Sequence, residues 1–114
     1  MVMTIYVANS FSLNMLDFSD SKIKTVVVEE IDTETVKELL KNSDFISAIG
    51  HEATAKVISQ KLGINVEANR VQIKMNRGDV LIVFQLLQRL PEGKVLSEEE
   101  IQQIPCKWFE VIVI

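Results

Sequence analysis

Three short runs of the chain are apolar at almost every position and rich in β-forming residues. A strand that is apolar on both sides must be covered on both faces or lie in an interface. These runs therefore predict a sheet with further layers packed on it. Gln85, a lone polar residue within one run, is expected either at an exposed strand end or against a ligand. The runs are 2–8, 80–87 and 108–114.

Helix start and stop signals mark three other segments. Asp32 can cap a helix by accepting a hydrogen bond from a first-turn amide. Ser97 and Glu100 form a capping box, and Gly63 supplies a left-handed exit for the helix before it. The predicted helices cover 33–41, 51–62 and 98–104.

Two further strands complete the predicted fold. Residues 23–29 form an apolar strand, and 66–75 alternates apolar and polar side chains as a half-buried strand does. A turn at 76–79 would join 66–75 to 80–87 as a β-hairpin. The order β-β-α-α-β-β-α-β predicts a single small α/β domain over 1–114, with a mixed five-stranded sheet flanked by about three helices.

Charge and composition limit the partners of such a domain. A net charge of −4 and a pI of about 5.0 argue against duplex nucleic acid, which is bound through a basic surface. They permit a small phosphorylated ligand, which needs only a few well-placed cations. One cysteine and one histidine exclude an internal disulfide and make a zinc site implausible. The sequence shows no leader and no apolar run of about 18 residues, so we expect a soluble intracellular protein without a membrane partner.

Two polar segments are candidates for binding a phosphorylated ligand. A loop rich in asparagine and serine follows the first strand at 9–14. It is either an ordinary turn or a binding loop, since α/β folds place ligands at the carboxyl ends of strands. Gly50 and His51 open the second helix, where free amides suit a phosphate and a residue without Cβ permits close approach. His51 is the best candidate acid or base, although it can also serve only to open the helix.

Three charged residues near these segments have two interpretations each. Arg89 and Glu92 flank Pro91 in a stiffened loop. They are either residues of a site or an ordinary solvated ion pair, which would contribute about 0–1 kcal/mol to stability. Arg70 either binds a phosphate bidentately or is an exposed strand residue. The sequence contains no G-x-x-x-x-G-K, G-x-G-x-x-G or G-x-S-x-G motif. The residues alone therefore indicate a plausible anion site without defining a reaction.

Four motifs taken together resemble the viral ring nuclease family. They are A-N-S-F-S-L-N at 8–14, S-A-I-G-H-E-A-T-A at 47–55, N-R-V-Q-I-K at 69–74 and Q-R-L-P-E-G at 88–93. The resemblance covers nearly the whole chain in the expected order, and I-G-H-x-x-T followed by Q-R-L-x-E-G is its most specific part. The stretch 15–45 and the C-terminal strand are the least alike. Members of this family are type III anti-CRISPR proteins.

This resemblance implies an activity and a site. The family degrades cyclic tetra-adenylate, the second messenger of type III CRISPR defence, without a metal or other cofactor. It acts as a homodimer with the ligand across the two-fold axis. Its catalytic histidine, arginine and glutamate fall on His51, Arg89 and Glu92. The positions expected to contact the ligand are Asn9, Ser12, Asn14, Gly50, Thr54, Arg70 and Gln85.

The reaction expected from the resemblance is a transesterification in the host cytoplasm. A ribose 2′-OH attacks its adjacent 3′-phosphate in line, and His51 protonates the departing 5′-oxygen. The products are linear di-adenylates that carry a 2′,3′-cyclic phosphate. One alternative is a non-catalytic protein that sequesters the messenger. The other is a DNA-binding viral regulator, which the acidic pI and the lack of a basic recognition helix disfavour.

Overall fold

A five-stranded sheet forms the centre of the fold. The computed structural model describes residues 3–90 and 95–114 of the chain. The strands are β1 (Ile5–Ala8), β2 (Val26–Ile31), β3 (Ile46–Ser47), β4 (Val80–Leu86) and β5 (Cys106–Val113). The helices in this part of the chain are α1 (Thr33–Lys41), α2 (Glu52–Leu62) and α3 (Glu98–Gln103), and a 3₁₀ turn covers Leu13–Met15.

Parallel and antiparallel pairing meet in this sheet, whose strand order is β2-β5-β4-β1-β3. β1 runs parallel to both of its neighbours, with Val7 opposite Ser47 of β3 and Ala8 opposite Val83 of β4. β5 runs antiparallel to both β4 and β2. The predicted α/β architecture, a mixed five-stranded sheet with three helices, is thereby confirmed.

The predicted strand at 66–75 and its hairpin are wrong. This segment makes only two isolated bridges, from Ala68 to Ile49 and from Met75 to Leu16. Its two ends therefore pair with different loops, and no single strand runs beside it. The fifth strand is β3, which lies in a stretch that the sequence predicts as a connector. β4 pairs instead with β1 and β5.

Helices cover one face of the sheet. Ile82 of β4 and Trp108 of β5 share a buried core with Val36 of α1 and Ile58 of α2. Trp108 packs against Phe84 on the neighbouring strand, with ring centroids 4.8 Å apart. None of the described helices is long and apolar enough to cross a membrane.

Two irregular segments cover the opposite face. Leu81 and Val83 of β4 share a second buried cluster with Leu16 and Met75. The two segments are joined by the N–H of Met75, which donates to the carbonyl of Met15 at 2.7 Å. Both faces of β4 are therefore covered, as its apolar sequence requires.

Candidate functional site

The carboxyl ends of β1, β3 and β4 meet at one edge of the sheet, because these strands are parallel neighbours with β1 in the middle. Asn9 directly follows β1, Gly50 lies shortly after β3, and Gln85 is the penultimate residue of β4. Ligands of α/β proteins bind at this kind of edge. The fold thus brings predicted site residues from three adjacent strands to one edge.

The start of α2 lies at the same edge and carries no side-chain cap. His51 is the N-cap residue, with extended backbone angles (φ −130°, ψ 132°), and its side chain makes no capping hydrogen bond. Its carbonyl accepts the first helical hydrogen bond from the N–H of Ala55 at 3.0 Å. The His51 side chain is exposed. First-turn amides have no acceptor within their own helix, so this helix start can bind an anion beside an imidazole.

Arg70 places a positive charge next to this helix start. Its Nε donates to the carbonyl oxygen of Gly50 at 3.0 Å. A Cβ added to Gly50 would lie 3.8 Å from Cγ of Arg70, an ordinary van der Waals distance. Gly50 does not have a positive φ. Neither strain nor a clash with the protein requires glycine at position 50, and the absence of a Cβ leaves the backbone of this turn open to close approach.

A short segment that we name the 67–70 strap holds the chain just before His51. The side-chain amide of Asn69 donates to the carbonyl of Ser47 at 2.7 Å, and its backbone N–H donates to the carbonyl of Ile49 at 2.8 Å. The hydroxyl of Ser47 donates to the carbonyl of Glu67 at 2.5 Å. On the other side, the N–H of Ala48 donates to β1 at 2.8 Å. The stretch 47–50 is therefore fixed between β1 and the strap.

The loop after β1 carries three of the predicted ligand positions. Asn9, Ser12 and Asn14 are exposed, and the 3₁₀ turn is closed by the N–H of Met15 donating to the carbonyl of Ser12 at 3.0 Å. Lys74 donates from Nζ to the carbonyl of Asn14 at 3.0 Å. The segment 70–74 thus runs from the start of α2 to this loop, and it carries a cation at each end.

Thr54 differs from the other predicted ligand positions because its side chain is buried. It lies in the first turn of α2 and is 7% exposed, whereas Arg70 and Gln85 are exposed. A ligand in front of His51 would meet the amide of Thr54 more readily than its hydroxyl. The sequence pattern marks the correct turn of the helix without telling which group faces outward.

The end of β4 supplies the remaining predicted residues. The side-chain amide of Gln85 donates to the carbonyl of Leu86 at 3.2 Å, and its exposure agrees with the predicted strand-end position. Arg89 is exposed three residues after β4. Within 3–90 and 95–114, no hydrogen bond or ion pair joins Arg89 to His51 or Arg70. Glu92 lies outside the described residues.

Two features of the site are not predicted by the sequence. Asn69 and Lys74 lie in the segment 66–75, whose alternation predicts a half-buried strand. The one available signal for Asn69 is its place beside Arg70 in the motif N-R-V-Q-I-K. No signal in the sequence pairs Lys74 with Asn14, which is 60 positions away.

Metal-binding side chains do not gather in the part of the chain that the structure describes. No group of three or more histidine, cysteine, aspartate or glutamate residues is found there. The helix start instead has one cation beside it, Arg70, and one carboxylate in its first turn, Glu52.

Comparisons with known proteins agree with this architecture. The family model described as STIV B116-like matches residues 5–108. The chain is 40% identical over 111 residues to "Uncharacterized protein 26" of Sulfolobus islandicus filamentous virus, covering 95% of this chain and 92% of that protein. It is 34% identical over 112 residues to "Uncharacterized protein ORF117" of Acidianus two-tailed virus, covering 96% and 91%.

A solved structure shares the fold. B116 of Sulfolobus turreted icosahedral virus superposes with a TM-score of 0.79 at 32% sequence identity, over 96% of this chain and 98% of that one. The chain belongs to the STIV B116-like family. The chain is also 34% identical over 83 residues to "Uncharacterized protein YddF" of Bacillus subtilis, covering 71% of this chain and 77% of that protein.

Proposed function

We propose that this protein is a metal-independent ring nuclease that opens cyclic tetra-adenylate and so suppresses type III CRISPR signalling in the host cytoplasm. The observation that carries the proposal is the open start of α2. It combines an exposed histidine, free first-turn amides and the guanidinium of Arg70 at the carboxyl edge of three parallel strands. A nucleotide phosphate needs an anion site, and its transesterification needs a proton donor near the leaving oxygen.

The proposed reaction exchanges one phosphoester bond of the ligand for another. The 2′-oxygen forms a bond to the adjacent phosphorus, and the bond from phosphorus to the 5′-oxygen breaks. His51 delivers a proton to the departing 5′-oxygen, while the 2′-hydroxyl loses one. Arg89 offsets charge on the phosphate, and Glu92 orients groups or accepts the 2′-hydroxyl proton. Two such cuts divide the ring into linear di-adenylates that end in a 2′,3′-cyclic phosphate.

A homodimer is part of the proposal. A four-fold repetitive ring can meet the same side chains twice when it lies across a two-fold axis. Two large apolar residues flank the predicted ligand positions on the surface. Leu13, beside Asn14, is 73% exposed, and Val71, beside Arg70, is 45% exposed. Such residues are well suited to the rim of a contact between two copies next to the ligand.

A non-catalytic binder is the second candidate. A general acid is commonly oriented by a hydrogen-bond partner on its ring. The side chain of His51 has no such partner among residues 3–90 and 95–114. A protein that only sequesters the messenger would need Arg70 and the loop after β1 but would not need His51. Duplex DNA is a weaker candidate ligand because the chain carries a net charge of −4.

A cleavage assay with the purified protein separates these candidates. The protein is mixed in excess with labelled cyclic tetra-adenylate in EDTA, and products are identified by mass spectrometry. Linear di-adenylates with a 2′,3′-cyclic phosphate support the ring nuclease. Tight binding without any product supports the sequestering protein. The ring nuclease and the sequestering protein would both be contradicted if the protein neither bound nor cleaved the ring and instead shifted duplex DNA in a gel at physiological salt.

A further inference from the structure

We infer that Asn69 is a positioning residue for His51, acting through the carbonyl of Ser47 that its side-chain amide holds in the stretch 47–50. The inference rests on the proposed function for its catalytic consequence, but the placement of His51 can be measured without any reaction. Asn69 belongs to none of the predicted catalytic or ligand-binding positions. Its role follows from where its side-chain amide is directed, next to a backbone bond that any residue at this position would make.

The two hydrogen bonds of Asn69 converge on the residues that lead into α2. Its side-chain amide holds the carbonyl of Ser47 at 2.7 Å, and its backbone N–H holds the carbonyl of Ile49 at 2.8 Å. His51 is two residues beyond Ile49 and has an extended backbone. Its direction therefore depends on how the preceding residues are held. Ile49 is fully buried and cannot shift without disturbing the core.

The adjacent Arg70 extends this support by one residue. Its Nε holds the carbonyl of Gly50 at 3.0 Å, directly before His51. Its two terminal nitrogens make no hydrogen bond to any residue in the described part of the chain. A guanidinium can bind a phosphate through those nitrogens while Nε stays engaged. The side chain that meets the ligand thus also holds the carbonyl next to the histidine.

A structural role alone predicts something different from a positioning role. If Asn69 only stabilised the strap, its loss would lower the melting temperature and leave the folded site unchanged. If Asn69 positions His51, its loss changes the surroundings of the imidazole in the folded protein. It then slows cleavage more than it weakens binding, because misplaced reacting groups lose rate before affinity.

His51 is the only histidine of the chain, so its ring gives unambiguous NMR signals. The experiment compares wild type with Asn69→Leu, which removes the side-chain amide without adding charge. Asn65→Leu is the matched control, because Asn65 is also exposed and lies outside the strap. The imidazole signals are recorded in ligand-free protein. Single-turnover cleavage and the dissociation constant for cyclic tetra-adenylate are measured on the same three proteins.

We expect Asn69→Leu to shift the imidazole signals and to slow cleavage about 10- to 100-fold, with the dissociation constant changed less than about threefold. Asn65→Leu should match wild type in all three measurements. Imidazole signals and rates of Asn69→Leu that coincide with those of Asn65→Leu would overturn the inference. If wild type does not cleave the ring, the proposed function fails, and the imidazole signals alone still decide whether Asn69 positions His51.

A second variant covers the case in which Asn69→Leu does not fold. Asn69→Gln keeps the amide on an arm that is one methylene longer. Because the longer arm moves the amide away from the carbonyl of Ser47, we expect Asn69→Gln to shift the imidazole signals and to slow cleavage relative to wild type and Asn65→Leu. Signals and rate identical to wild type for Asn69→Gln would count against a requirement for the geometry at this position.

Discussion

The helices α1 and α2 begin in opposite ways. Asp32 closes the start of α1, because its carboxylate accepts from the N–H of Thr35 at 2.8 Å and from the hydroxyl of the same residue at 2.7 Å. At the start of α2, His51 occupies the equivalent position and gives no side-chain cap. Both helices carry a glutamate in the first turn, Glu34 and Glu52. The difference between them is therefore the cap itself rather than the charge of the turn.

This difference separates a structural helix start from one that is available to a ligand. Replacing a good N-cap residue by a poor one typically costs about 1 kcal/mol. α2 forgoes that contribution at a helix start that lies at the carboxyl edge of β1, β3 and β4. α3 follows α1, since Ser97 and Glu100 complete a capping box. Among the three α-helices that the structure describes, only α2 leaves its first-turn amides without an N-cap side chain.

The largest effect is expected from His51→Ala. Loss of a general acid should slow single-turnover cleavage of cyclic tetra-adenylate by ~10²–10⁴, about 3–5 kcal/mol of the barrier. The melting temperature should stay close to that of wild type, because the side chain forms no capping bond. Asp32→Ala is the control at the other helix start, with a lower melting temperature and an unchanged rate. Equal rates for His51→Ala and wild type would remove His51 from the chemistry.

A methyl group at Gly50 tests whether a ligand approaches this turn closely. Gly50→Ala should fold normally, since the added Cβ meets only Arg70 at 3.8 Å, and should weaken ring binding about tenfold, or ~1.4 kcal/mol. Calorimetry measures the affinity. Gly63 provides the contrast, because its φ of +65° disfavours a side chain. Gly63→Ala should cost about 1 kcal/mol of stability and leave the affinity unchanged.

Giving α2 the kind of cap that α1 has should reverse the relation between stability and activity. His51→Ser supplies a hydroxyl that can accept from the first turn, so the free energy of unfolding should rise by about 1 kcal/mol while cleavage is lost. Urea denaturation and the cleavage assay measure the two changes on the same sample. A less stable His51→Ser protein would mean that the start of α2 is not an open cap.

The smallest effect is expected in how the stability of the protein depends on pH at the start of α1. The hydroxyl of Thr35, followed by its backbone N–H, lowers the pKa of Asp32 below the ordinary value of 3.8. A lowered pKa in the folded protein means that the carboxylate stabilises α1 above the ordinary value and that this contribution fades as pH falls below it. Asp32→Asn should therefore lose less stability than wild type between pH 4.5 and 2.5 (roughly the window set by an ordinary aspartate). Denaturant midpoints across this range measure the difference, and parallel curves would show that Asp32 is not the group involved.

The sequence predicts those parts of the fold that depend on interactions between residues close together in the chain. α1 and α2 are predicted to within one residue because caps, helical spacing and Gly63 agree. The segment 66–75 is mispredicted although part of its alternation matches burial, since Ile73 and Met75 are 4% and 0% exposed while Val71 is 45% exposed. Alternation here reports the burial of the last apolar side chains only. It does not report that the two ends of the segment bond to different loops.

The candidate site is predictable to a similar degree. Local chemistry marks His51 as a helix-opening residue and the loop after β1 as polar, and the structure places both at the same edge of the sheet. The bonds of Asn69 to Ser47 and of Lys74 to Asn14 span 22 and 60 positions. Such pairs depend on the tertiary path of the chain. They leave no periodic signal in a single sequence.

The most direct test compares the amides of the two helix starts during a titration. Cyclic tetra-adenylate with methylated 2′-oxygens cannot be cut by 2′-OH attack and can be added to isotope-labelled wild type. We expect large, saturable NMR shifts for the amides of Ala53 and Thr54 at the start of α2 and of Asn9 after β1, with no shift for Thr35 in α1. Equal shifts at both helix starts, or saturable binding without any change at Ala53 and Thr54, would contradict this expectation.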